Sequence, residues 1–88
     1  MAERNFPPLY PCLFPVKIIG ESSADFESEV LSVLRMHVGE ITEGSIGRKR
    51  SSGGKYLSLT VQITAQSREH VERLYAELNA RECVIMVI

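Results

Sequence analysis

Three groups of residues in this 88-residue chain have types and spacings that invite a chemical reading. The stretch GRKRSSGGK, from Gly47 to Lys55, sets three consecutive cations ahead of four small residues and another lysine. That is the composition of a phosphate cradle or a nucleic-acid patch. Glu21, Asp25, Glu27 and Glu29 lie near one another and suggest a cation site. His37, His70, Cys12 and Cys83 supply the side chains used in nucleophilic and metal chemistry.

None of these groups meets the spacing its chemistry needs. A phosphate loop of Walker type requires G-x-x-x-x-G-K-[ST] between a strand and a helix, so that backbone N–H groups and the helix end converge on phosphate. Here Gly54-Lys55 is followed by Tyr56, the residue five places before Gly54 is Lys49, and a strand-like run follows. The four acidic residues surround the start of an amphipathic helix, where capping and the helix dipole account for them. His37 and His70 fall on different helices with no partner spacing, and are read as core-edge and surface residues. Cys12 and Cys83 make no CxxC pair and are too few for a disulfide framework. No Ser-His-Asp or Cys-His set can be assembled. No catalytic, metal-binding or cofactor-binding residue is therefore assigned, and the chain is read as a non-enzyme.

The elements that position these residues follow from periodicity. Residues 1–13 hold three of the four prolines and are read as an N-terminal arm. Residues 14–88 are read as one domain. FPVKIIG gives a first strand closed by Gly20. Phe26, Val30, Val33, Leu34 and His37 share one stripe of a helix capped by Ser22 or Ser23 and ended by Gly39. EITEGSIGRKR reads as a weak strand in which Ile41 and Ile46 have opposite parity, so that a bulge is expected. In YLSLTVQITA, Leu57, Leu59, Val61, Ile63 and Ala65 point one way, and Tyr56, Ser58, Thr60, Gln62 and Thr64 the other. Val71, Leu74, Tyr75 and Leu78 mark a second helix capped by Ser67. CVIMVI is a final strand. The β-α-β-β-α-β order predicts an α+β, ferredoxin-like two-layer sandwich with antiparallel strand order 4-1-3-2 and both helices on one face. Leu59, Val61, Val30, Val33, Leu34, Val71, Leu74 and Leu78 are expected to form one core.

Composition limits the function classes. The chain is 44% hydrophobic and 24% charged, too apolar for disorder. Its net charge of −1 gives no global field for nucleic acid. No segment approaches the roughly 20 apolar residues of a membrane span, and the N-terminus lacks the apolar run of a signal peptide. A cytoplasmic protein with free thiols, without a membrane partner, is expected. RNA-binding sheets of this topology stack bases on several aromatics of the central strands. Here only Tyr56 is available, so nucleic acid is disfavoured. Arg48, Lys49 and Arg50 are read as part of an exposed, solubilising hairpin turn with no assigned role, Gly53 and Gly54 providing positive φ. Acylphosphatase shares the fold, but IIGESSADF has neither its glycine-rich cradle nor its arginine.

Four segments, YPCLFPVKIIG, SSGGKYLSLTVQITA, VERLYAEL and VIMVI, resemble the YbeD-like family of small bacterial proteins, often labelled lipoate regulatory proteins. Tyr10, Pro11, Phe14, Lys17 and Gly20 match one family pattern. Ser51, Ser52, Gly54, Tyr56 and Ser58 match another. The resemblance covers about residues 10 to 88 and leaves out Arg48 to Arg50. It implies a ferredoxin-like fold similar to ACT-type regulatory domains and a regulatory role tied to lipoate metabolism, since members tend to be encoded near genes for lipoate attachment. It carries no catalytic residues. ACT domains that bind amino acids usually show Asp-x-Pro-Gly after the first strand, where this chain has GESSAD.

Two candidate sites remain. The sheet face opposite the helices presents Lys17, Ile19, Tyr56, Ser58, Thr60 and Gln62, with alternate residues of CVIMVI, and is the expected surface for a protein partner or for self-association. The loop carrying Gly20, Ser22 and Ser23 is the second. The readings to separate are a regulatory or protein-interaction module, an ACT-type small-molecule sensor, and a weak nucleic-acid binder.

Overall fold

The computed structural model describes residues 9–88. Most of the expected arm, residues 1–8, lies outside the described residues. The elements run β1 (Cys12–Glu21), α1 (Ala24–Val38), a 3₁₀ turn (Glu43–Ser45), β2 (Ile46–Arg50), β3 (Tyr56–Ala65), α2 (Arg68–Asn79) and β4 (Val84–Val87). The sheet order is β2-β3-β1-β4, which is the expected 4-1-3-2 read from the other edge, and every pairing is antiparallel.

The long central pair sets the frame. β1 and β3 run in uninterrupted register from Cys12 opposite Ala65 to Glu21 opposite Tyr56. β1 thus begins at Cys12 and continues through Gly20 to Glu21, beyond the bounds expected for the first strand. Val16 and Ile18 of β1, with Leu57, Leu59, Val61, Ile63 and Ala65 of β3, are buried beneath the helices. Phe26, Val30, Val33 and Leu34 of α1 and Val71, Leu74 and Leu78 of α2 close the core, and Val87 joins from β4. Every residue expected in the core is there.

Local chemistry fixes the helix ends. Ser23 is the N-cap of α1, its Oγ accepting from the Phe26 N–H at 3.0 Å. Ser67 does the same for α2, accepting from the His70 N–H at 3.1 Å. Each cap satisfies one of the orphan donors of a helix start. Gly39 follows α1 with φ 81°, a conformation open to glycine, and its N–H donates to the Arg35 carbonyl.

The segment before β2 departs from expectation. No bulge reconciles Ile41 with Ile46. The 3₁₀ turn at Glu43–Ser45 stands between them, with the Ser45 N–H donating to the Thr42 carbonyl, and both isoleucines lie half-buried against the core. Strand pairing then starts at Ile46 and includes Arg48, Lys49 and Arg50. The basic run is therefore a strand, not a turn. The turn itself is Ser51 to Lys55. Three hydrogen bonds close it: the Ser51 N–H donates to the Tyr56 carbonyl, the Ser51 Oγ accepts from the Tyr56 N–H, and the Gly54 N–H donates to the Ser51 carbonyl. Gly53 and Gly54 adopt φ of 88° and 76°, as that closure requires.

Candidate functional site

The face of the sheet away from the helices is built by the alternation of β1 and β3. Opposite residues in an antiparallel pair are neighbours on the same face. Ile19 pairs with Ser58 and with Met86, and Ser58 pairs with Lys49, so one row crosses the sheet as Lys49, Ser58, Ile19, Met86. The next row is Gly47, Thr60, Lys17 and Ile88, the last two joined through both backbone amides. Tyr56 stands opposite Glu21, and Gln62 opposite Pro15. All six expected face residues are thereby brought onto one surface.

That surface mixes exposed apolar side chains with the polar ones. Leu13 is 73% exposed, Ile88 55%, Met86 48% and Tyr56 38%. A shallow depression of about 250 Å³ lies on it, lined by Lys17, Ile19, Lys49, Ser51, Tyr56 and Ser58 among others. The Lys55 ammonium sits 5.4 Å from the Tyr56 ring centroid, within cation–π range. Leu13 and Lys49 were missed in the sequence. Leu13 lay inside the segment read as an arm, and Lys49 inside the segment read as a turn. Parity alone would have found Lys49: once β2 pairs with β3, it must share a face with Ser58.

Arg48 and Arg50, the neighbours of Lys49, take the opposite face. Arg48 donates through Nε and Nη2 to Glu27 of α1, at 2.9 and 2.7 Å, and through Nη1 to Glu43. The guanidinium beside them holds the Glu27 and Glu43 carboxyls below the ordinary glutamate range. Glu27 is thus an ion-pair partner as well as a dipole residue. Arg48 fastens β2 to α1 and the 3₁₀ turn, which corrects its reading as a solubilising charge.

The candidate loop is used internally. An added Cβ at Gly20 would overlap the Phe26 ring and the Cys83 carbonyl, so this position takes glycine because backbone and ring approach closely. The Ser22 N–H donates to the Lys55 carbonyl, tying the loop to the β2–β3 turn, and Ser23 caps α1.

The two histidines do have partners. The His70 Nδ1 accepts from the Gln66 N–H at 3.1 Å, which leaves its Nε2–H to donate to the His37 carbonyl at 2.8 Å. His70 is buried and works as a C-terminal cap of α1. His37 Nε2 lies 2.8 Å from Glu77, and that hydrogen bond lowers the Glu77 carboxyl from its ordinary value. The ring centroids are 6.4 Å apart. Cys83, half-buried, donates to Glu29 at 3.0 Å; burial first, and then that carboxylate, push its thiol up to about 11, far from a reactive thiolate. Both cysteines are free, and among the described residues no group of three His, Cys, Asp or Glu is placed to hold a metal ion. Among those residues no helix is long and apolar enough to cross a membrane.

The chain is 43% identical over 79 residues to a UPF0250 protein of Hahella chejuensis, covering 90% of this chain and 87% of that protein. It is 42% identical over 80 residues to one of Shewanella sediminis, covering 90% and 88%. The solution structure of protein HP0495 from H. pylori superposes with a TM-score of 0.78 at 15% identity, covering 97% of this chain and 89% of that one. The ACT domain of a GTP pyrophosphokinase from Chlorobium tepidum superposes with a TM-score of 0.69 at 14% identity, covering 91% and 86%. At these identities the structural likenesses show the fold alone, which is ferredoxin-like and of ACT type. The family model described as "Protein of unknown function (DUF493)" matches residues 9–88. In agreement with its YbeD-like pattern, the chain belongs to that family.

Proposed function

We propose that this domain is a non-catalytic, regulatory protein-interaction module that works in the cytoplasm through the open face of its sheet. One observation carries the reading: an uncovered face that exposes Leu13, Met86 and Ile88 and holds a shallow depression beside Ile19 and Tyr56. Exposed apolar surface rimmed by polar residues is characteristic of a protein–protein interface, and a tyrosine in such a setting is a favourable anchor. Several polar groups elsewhere are engaged. Arg48, His70, Ser23 and Cys83 all spend their hydrogen bonds on holding elements together. The resemblance to lipoate regulatory proteins makes enzymes of lipoate attachment the first partners to test.

The small-molecule sensor reading has the ACT-type fold in its favour, but the loop after β1 gives it little support. Gly20 is filled by Phe26, and Ser22 and Ser23 are committed to the turn and the cap.

The test uses the purified domain as bait in parallel with Ile19→Ser/Tyr56→Ala. Both should give the same circular dichroism spectrum, because the two side chains lie outside the core. Partner recovery, or self-association by sedimentation, should be lost in the double variant. Recovery of the same partners at the same level would reject the open face as the working surface.

A further inference from the structure

The described ion pairs of this molecule lie on one side of its sheet. Among the described strand residues on the open face, Lys17 and Lys49 are cations and Glu21 is the one carboxylate. On the helix-covered side the ion pairs join Arg48 to Glu27 and Glu43, Arg68 to Glu72, Arg81 to Glu77 and His37 to Glu77. Neither Lys17 nor Lys49 has a carboxylate partner among the described residues. A chain of net charge −1 thus sets two lysines against one carboxylate on the open face of its sheet.

The two lysines also share their rows with the apolar anchors. Lys49 lies in the row of Ile19 and Met86, and Lys17 in the row of Ile88. A partner that covers the anchors lies against the lysine stems and brings its own groups close to the two ammonium heads. An ammonium taken out of water without a counter-charge is strongly disfavoured. The partner must therefore bring acceptors of negative charge to those places. Phosphates would serve the lysines, but not their neighbours: Ile19, Met86 and Ile88 offer no platform for a base, and among the described residues Tyr56, with Lys55 over its ring, is the one aromatic of this face.

Resting on the open face as docking surface, we infer that the partner is an acidic protein segment whose apolar side chains seat against Ile19, Tyr56, Met86 and Ile88 while its carboxylates meet Lys17 and Lys49. Complementary charge of this kind steers encounter and rejects partners of the wrong sign.

The test places a photo-crosslinking residue at Gln62, exposed on this face, and a control at Arg73, exposed on α2, in the full chain within cells that produce it. Cross-linked peptides are sequenced by mass spectrometry. The expected product at Gln62 is a peptide of another protein, rich in Asp and Glu and containing apolar residues. Its yield should fall by roughly tenfold or more when Lys17→Glu and Lys49→Glu are added, a loss of about 1.4 kcal/mol for each tenfold, with the dichroism spectrum unchanged. A basic or neutral peptide, a nucleic acid, a second copy of this chain, or a yield indifferent to charge reversal would overturn the acidic-partner inference while leaving the open face in use. Cross-links confined to Arg73, or none at either position, would overturn the open-face reading itself and this inference with it.

Discussion

The two faces of β3 differ by a single residue in sequence and by nearly everything in environment. Leu57, Leu59, Val61 and Ile63 are buried under both helices, whereas Tyr56, Ser58, Thr60 and Gln62 face away from them. Arg48 and Lys49 make the same contrast with charge. Arg48 reaches α1 and is clamped by two carboxylates; Lys49, one residue on, turns to the open face and meets none. A strand of period two can thus give one face to the core and, on the reading proposed here, the other to recognition. Composition cannot reveal this division, because the same basic run serves both.

The contrast predicts a graded series of effects. The largest belongs to the covered side. Leu74→Ala should destabilise the domain by about 2–5 kcal/mol, since Leu74 is fully buried and a truncated leucine leaves a cavity. A change below about 0.5 kcal/mol in chemical denaturation would mean that α2 is not packed as described. Gly20→Ala comes next, by overpacking against Phe26 and the Cys83 carbonyl, at about 1–3 kcal/mol. A stable, unshifted Gly20→Ala variant would show that the loop has room for a ligand after all, and would revive the sensor reading.

His70→Ala should cost about 1–3 kcal/mol, by leaving the Gln66 N–H and the His37 carbonyl without their partner. Proton-detected nuclear magnetic resonance offers a check on the wild type: the His70 ring should carry its proton on Nε2. A smaller effect distinguishes the adjacent cations. Arg48→Ala should lower the melting temperature more than Lys49→Ala does, and should blunt the acid sensitivity of the fold. The sign follows from the carboxyls. Glu27 and Glu43 are depressed in the folded state by Arg48, so their contribution is present above the unfolded glutamate value of about 4.3 and is lost as pH falls below it. Equal pH profiles for wild type and Arg48→Ala would contradict the clamp.

The fold was legible because its signals are periodic. The stripes of α1 and α2 and the alternation of β3 determine which side of each element is buried, and that in turn dictates a two-layer sandwich. The six expected face residues came from the same alternation. What escaped notice depended on contacts distant in sequence. Arg48 and Glu27 are 21 residues apart and His37 and Glu77 are 40, and no spacing rule joins them. The strand bounds slipped for a local reason. Gly20 looked like a terminator, yet it pairs with Leu57 and continues β1, and it is glycine because Phe26 occupies the space a side chain would fill. Likewise three cations followed by Ser and Gly read as a turn, although pairing with β3 holds them extended.

A scan along β3 tests the central division most directly. Tyr56, Ser58, Thr60 and Gln62 are each changed to Glu, and Leu57, Leu59, Val61 and Ile63 each to Ala, and every variant is measured for melting temperature and for partner recovery per folded molecule. Two profiles in opposite phase are expected: the even-numbered positions keep their melting temperature and lose recovery, and the odd-numbered positions lose stability and keep recovery. Unchanged recovery across all four even-numbered positions would contradict the account, leaving the open face as solvated surface and nothing more.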